Sequence, residues 1–103
     1  MRRLEYTAEA RQDLEEIFEY LAIQMGGSDL ARSFVERIEA QCSKLASLPG
    51  ILGRPRPELR ADLRSFPFGA YMVFFRYLED KLEVVKIVHS HRDLDALFGE
   101  AGD

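Results

Sequence analysis

The chain has 103 residues, 47% of them hydrophobic, with one cysteine and a formal net charge of −4. That suits a single domain spanning residues 1–103 with one small core. It excludes an internal disulfide, and no stretch reaches the roughly 18 apolar residues of a membrane span. The opening MRRLEYTAEA has two arginines but no apolar run behind them, so it is not a secretory signal, and the expected compartment is the cytoplasm. A negative chain does not grip nucleic acid by bulk charge, because phosphate neutralisation needs a basic surface.

Residues 3–7 alternate, with Leu4 and Tyr6 on one face, and predict a strand. Thr7 is placed to cap a helix over 8–25, where Leu14, Ile17, Phe18, Leu21, Ala22 and Met25 recur at helical spacing. Five acidic residues between Glu9 and Glu19 are expected on its exposed face. Gly26 and Gly27 end this helix, and Ser28 or Asp29 caps the next. Phe34, Val35, Ile38, Cys42, Leu45 and Ala46 form the second apolar stripe, which stops before Pro49. So short a connection predicts an antiparallel helix hairpin.

PGILGRPRPEL, residues 49–59, breaks both periods and reads as an ordered loop, with Ile51, Leu52 and Leu59 expected to be buried. Strands follow at 62–66, at 70–78 and at 82–90. Pro67, Phe68 and Gly69 are the first connection, and Glu79, Asp80 and Lys81 the second. The run AYMVFFRYL is apolar on both faces, which predicts a central strand. Leu94, Leu97 and Phe98 suggest a short last helix over 93–98, with Asp93 at its N-cap. The layout is α+β: an N-terminal strand, an antiparallel helix hairpin, three antiparallel strands and a short C-terminal helix.

Four stretches together resemble the ParE toxins of the RelE/ParE superfamily, over nearly the whole chain. They are A-x-x-D-L-x-x-I-x-x-Y from Ala10, PGILGRPRPEL, LRSFPFGAY from Leu63, and the H-x-x-R-D ending from His89, which L-x-x-L-F follows. The resemblance implies a toxin that inhibits DNA gyrase by binding and is neutralised by a ParD-like antitoxin. It also implies a hetero-oligomer with the antitoxin, which makes the contact with DNA. No cofactor is implied. The alternative within the superfamily is a RelE-type, ribosome-dependent mRNA endonuclease.

A metal-free ribonuclease needs several cations and an acid–base group on one surface. Here Arg64 and Arg92 are available, but Phe98 stands where the RelE-like branch often carries a tyrosine, and most strand positions that would need lysine are apolar. Arginine does not act as a base near neutral pH, which leaves His89 and His91 as acid–base candidates. Those two share a strand face, yet Cys42 sits on a core stripe and Asp93 and Asp95 lie past the strand, so a metal set is incomplete. No catalytic residue is assigned.

The aromatic crowd of Phe66, Phe68 and Tyr71 is either core or part of a sheet face that two helices leave uncovered. Arg54, Arg56, Arg60 and Arg64 are either solvated loop charges or contacts for an acidic antitoxin tail or for gyrase. The expected antitoxin- or target-binding set is Arg56, Arg60, Arg64, Phe66, Phe68, Tyr71, Arg92, Leu97 and Phe98.

Overall fold

A computed structural model describes residues 2–90. The expected helix over 93–98, together with His91, Arg92, Leu97 and Phe98, lies outside them. The order is β1 (Arg3–Tyr6), α1 (Ala8–Gln24), α2 (Asp29–Ser47), β2 (Arg54–Pro55), β3 (Arg64–Phe68), β4 (Tyr71–Leu78) and β5 (Lys81–His89). Among the described residues, no helix is long and apolar enough to cross a membrane.

The strands form one sheet in the order β1-β5-β4-β3-β2. β1 is parallel to β5 and the other pairs are antiparallel. The doubly apolar run is thus the middle strand. Two strand boundaries differ from those expected. The loop after α2 contributes a two-residue edge strand, and β3 continues through Pro67 to Phe68. Proline is tolerated there because it follows Leu63 in parity, and the Leu63 carbonyl faces β2. Past Ser65 that side has no partner strand, so the missing N–H falls on an open edge.

Helix α1 starts where Thr7 Oγ1 accepts the Ala10 N–H at 3.0 Å. Helix α2 starts without such a cap: Ser28 is at the N-cap position but makes no side-chain bond, and Asp29 is already helical. The hairpin packs on one sheet face. Leu14, Ile17, Ile38, Cys42 and Leu45 meet Tyr71, Val73, Phe75, Leu82, Val84 and Ile87 there. Cys42 is the small core residue its stripe implied, and burial pushes its thiol up to about 11, which keeps it protonated. Beside it the Tyr6 hydroxyl is buried without a hydrogen-bond partner among the described residues.

The second face is closed too, contrary to the expectation of a bare apolar face. Leu59 and Leu63, from the turn before β3, join Phe74, Val85 and Val88 in a separate buried cluster. A bulge makes this possible. Phe75 pairs with Val84 and Phe74 with Lys86, leaving Val85 as the extra residue. The buried pairs Val84–Val85 and Ile87–Val88 then serve opposite faces.

β1 ends at Tyr6, so the later part of β5 has no strand on that side. α1 closes it. The Thr7 hydroxyl donates to the Val85 carbonyl at 2.8 Å, and the Ile87 N–H donates to Asp13 Oδ2 at 2.9 Å. Asp13 was expected on the exposed acidic face with Glu9, Glu15, Glu16 and Glu19; it turns inward instead. Burial raises its pKa from the usual 3.8, against the pull of the Ile87 N–H and Lys86.

Asp13→Ala should cost about 1–3 kcal/mol in chemical denaturation, because it strands the Ile87 N–H. Asp13→Asn keeps an acceptor oxygen and should cost less. A carboxyl whose folded pKa is raised stabilises least when ionised. The stability of wild type relative to Asp13→Asn should therefore fall as pH rises from 3.8 through the folded pKa, and then level off. A second prediction concerns Gly53, which has φ +82°, and where an added Cβ would lie 2.5 Å from the Phe75 ring. Gly53→Ala should cost about 2 kcal/mol or more, read as a melting point lower by about 10 °C.

Candidate interaction surface

The expected site residues fall into two groups that adjoin along β3. The first is cationic and surrounds the connection from α2 to β3. Here the arginines are used by the fold. Arg64 donates through Nε to the Leu52 carbonyl at 2.6 Å and through Nη2 to the Gly53 carbonyl at 2.8 Å. Arg56 donates through Nε to Ser65 Oγ at 2.8 Å, and Glu58 lies 3.5 Å from its Nη1. These two are not simple solvated charges; they pin the loop to the sheet edge. Arg60 is exposed, and its N–H closes a turn on the Arg56 carbonyl. Arg54, on β2, is exposed.

The other cations of the long strands are paired in the same way. Arg76 holds Glu83 at 2.9 Å and Asp62 at 3.3 Å, which keeps its guanidinium more firmly charged. Lys81 donates to Glu5 at 2.8 Å, and Lys86 lies 3.9 Å from both Glu9 and Asp13. The Lys81 bond lowers the pKa of Glu5.

The second group is aromatic. Phe66, Phe68 and Tyr71 lie on the helix side of the sheet, not on the opposite face. Phe66 packs on Phe75 at 5.8 Å between centroids. Phe68 meets Phe34 of α2 edge-on at 5.4 Å, and Phe34 meets Tyr71 at 5.8 Å. The Arg37 guanidinium lies over both Phe34 and Phe68, at 5.9 and 5.7 Å. His89 meets Tyr71 edge-on at 5.5 Å, so the histidine sits half-buried at the core edge. Tyr71 is a core residue. Phe66 and Phe68 are half-buried, on a strand whose far side has no partner past Ser65.

The hairpin end beside this cluster carries apolar residues: Ile23 and Leu30, which neither stripe included, Tyr20, which closes the first motif, and Met25, which was expected on the apolar stripe of α1. Tyr20, Ile23, Met25 and Leu30 are all exposed, with Ile23 at 78% and Leu30 at 66%. Several large exposed apolar residues around one turn mark a contact surface. The signal was present in the sequence, since Tyr20, Ile23 and Leu30 fall off both apolar stripes. Among the described residues, no group of three or more His, Cys, Asp or Glu is arranged to hold a metal ion.

Residues 4–94 match the model of a family described as the ParE toxin of the type II toxin–antitoxin system, parDE. Two curated relatives come from Caulobacter vibrioides. Toxin ParE1 is 29% identical over 90 residues, covering 87% of this chain and 91% of its own length. Toxin ParE3 is 28% identical over 100 residues, covering 97% and 98%. A solved structure, the chromosomal ParDE TA system from P. aeruginosa, superposes with a TM-score of 0.76 at 22% identity over 86% of this chain and 96% of that one. At that identity the superposition speaks for the fold. With the family model spanning nearly the whole of the described α+β unit, the chain belongs to the ParE toxins of type II toxin–antitoxin systems, within the RelE/ParE superfamily.

Proposed function

We propose that this ParE toxin stops growth by binding DNA gyrase in the cytoplasm, performs no covalent chemistry, and is silenced by a ParD-like antitoxin. One observation carries the binding mechanism: the cations of β3, β4 and β5 are committed to partners inside the fold. A metal-free ribonuclease needs such groups turned toward a crowded phosphate, where their charge stabilises the transition state. Moving Arg64 or Arg76 to a phosphate would first break hydrogen bonds that hold the loop and the sheet edge. The RelE-type alternative therefore has little to work with on these strands.

The antitoxin surface is the aromatic end. Phe66 and Phe68 present half-buried rings along the open edge of β3, and Ile23 and Leu30 extend the apolar area onto the hairpin end. An antitoxin segment lying there would bury apolar surface without a rearrangement of the toxin. Arg60, exposed in the turn before β3, is a further contact for acidic residues of the antitoxin beyond that segment. Arg56 and Arg64 act by positioning the loop, and Arg92, Leu97 and Phe98 belong to the proposed surface from beyond the described residues. The net charge of −4 favours a complex in which the antitoxin contacts DNA.

Purified protein added to gyrase should inhibit supercoiling of relaxed plasmid, and translating ribosomes should leave its messenger RNA uncut. Full gyrase activity together with cleaved transcripts would establish the nuclease instead. Phe68→Glu and Ile23→Glu should each weaken antitoxin binding by about tenfold or more in calorimetry, with unchanged circular dichroism. Undiminished affinity in both would move the antitoxin elsewhere. Tyr71 is unsuited to this test, because a charge at so buried a position perturbs the core.

A further inference from the structure

The loop that ends α2 carries an exposed apolar side chain on a rigid mount. Arg2 Nη1 donates to the Leu48 carbonyl at 3.2 Å, and the Leu52 N–H donates to the Tyr77 hydroxyl at 3.0 Å. Arg64 holds the Leu52 and Gly53 carbonyls. The Arg2 guanidinium also lies over the Tyr77 ring, 4.3 Å from its centroid. Gly50 and Gly53, at φ +84° and +82°, set the bends. Leu52 turns inward and packs on the core, so its neighbour Ile51 turns outward and is 62% exposed. Leu48 and Pro49 are exposed on the same loop. The sequence reading expected Ile51 to be buried; the alternation of Ile51 and Leu52 across a pinned loop is what exposes it.

A flexible loop would lose conformational freedom on binding, whereas this one is ordered beforehand. Ile51 stands out from it at 62% exposure, so the complement of that side chain is an apolar hollow. Along the segment the balance is basic, with five basic and two acidic residues from Lys44 to Arg64 in a chain that is acidic as a whole, while Arg2 and Asp80 lie beside Leu48 and Pro49. Of those two acids, Glu58 faces Arg56 and Asp62 faces Arg76. The loop also lies at the Tyr77 end of β4, six residues and about 20 Å from the Tyr71 end, where Phe68 and Phe34 meet beside the hairpin end.

We propose that Ile51, flanked by Leu48 and Pro49, is a preformed plug for an apolar socket with an acidic rim on the folded protein that this toxin poisons. It forms a target-binding surface separate from the antitoxin surface. The inference rests on the reading that the toxin acts by binding a protein.

The test is separation of function, with Ile51→Glu and Arg54→Glu expressed in cells beside wild type. Each variant should need about tenfold more protein to halve the growth rate. Each should keep the wild-type melting point and an antitoxin affinity within about twofold. Growth arrest as strong as wild type would overturn the proposal. So would antitoxin affinity falling in step with toxicity, or binding to a duplex RNA oligonucleotide that weakens with Ile51→Glu. The two readings fail differently. If wild type halts growth but leaves purified gyrase active, gyrase is the wrong target, and the plug is still decided by the growth data. If both variants inhibit gyrase as wild type does, the plug alone is refuted.

Discussion

Phe74 and Phe75 are consecutive on the middle strand, point to opposite faces of the sheet, and are both fully buried. The rest of the architecture follows from that demand for two covers. The helix hairpin is large enough for one face only. The other is met by Leu59 and Leu63 from the turn before β3 and by the bulge that turns Val85 and Val88 toward it. In a domain this small, neither cover is dispensable, since apolar burial barely exceeds the entropy lost on folding.

Once the middle is satisfied, the edges become the problem, because unpaired strands invite other chains. Each edge is handled by a different device. β1 is short, and where it stops, Thr7 and Asp13 take over its hydrogen bonds to β5. β2 is shorter still, and Pro67 removes a donor from the part of β3 that β2 leaves open. Half-burying a carboxylate is costly even when a backbone N–H meets it, and the raised pKa of Asp13 is the trace of that cost.

The cations belong to the same economy of structure. Arg56, Arg64 and Arg76 tie the loop and the strand ends to the sheet, so they are not free to face a phosphate. What the surface offers a partner is mostly apolar: the rings of Phe66 and Phe68 with the hairpin end on one side, and Ile51 on the other. In the proposed reading, the antitoxin holds the first of these surfaces and the second is directed at the target.

Periodicity and glycine or proline punctuation are local properties, so the sequence by itself determined the helix hairpin, the Thr7 cap, the central place of AYMVFFRYL and the α+β layout. The linked motifs also identified the family. Tertiary structure alone decided which face each valine and isoleucine of β5 serves, because the bulge at Val85 changes the parity of everything after it. It also decided which charges are free. Asp13 and Glu16 look alike in a helical repeat, and so do Arg54 and Arg64 in a basic run. One of each pair meets a backbone group from a distant strand or loop, and no spacing along the chain records that meeting.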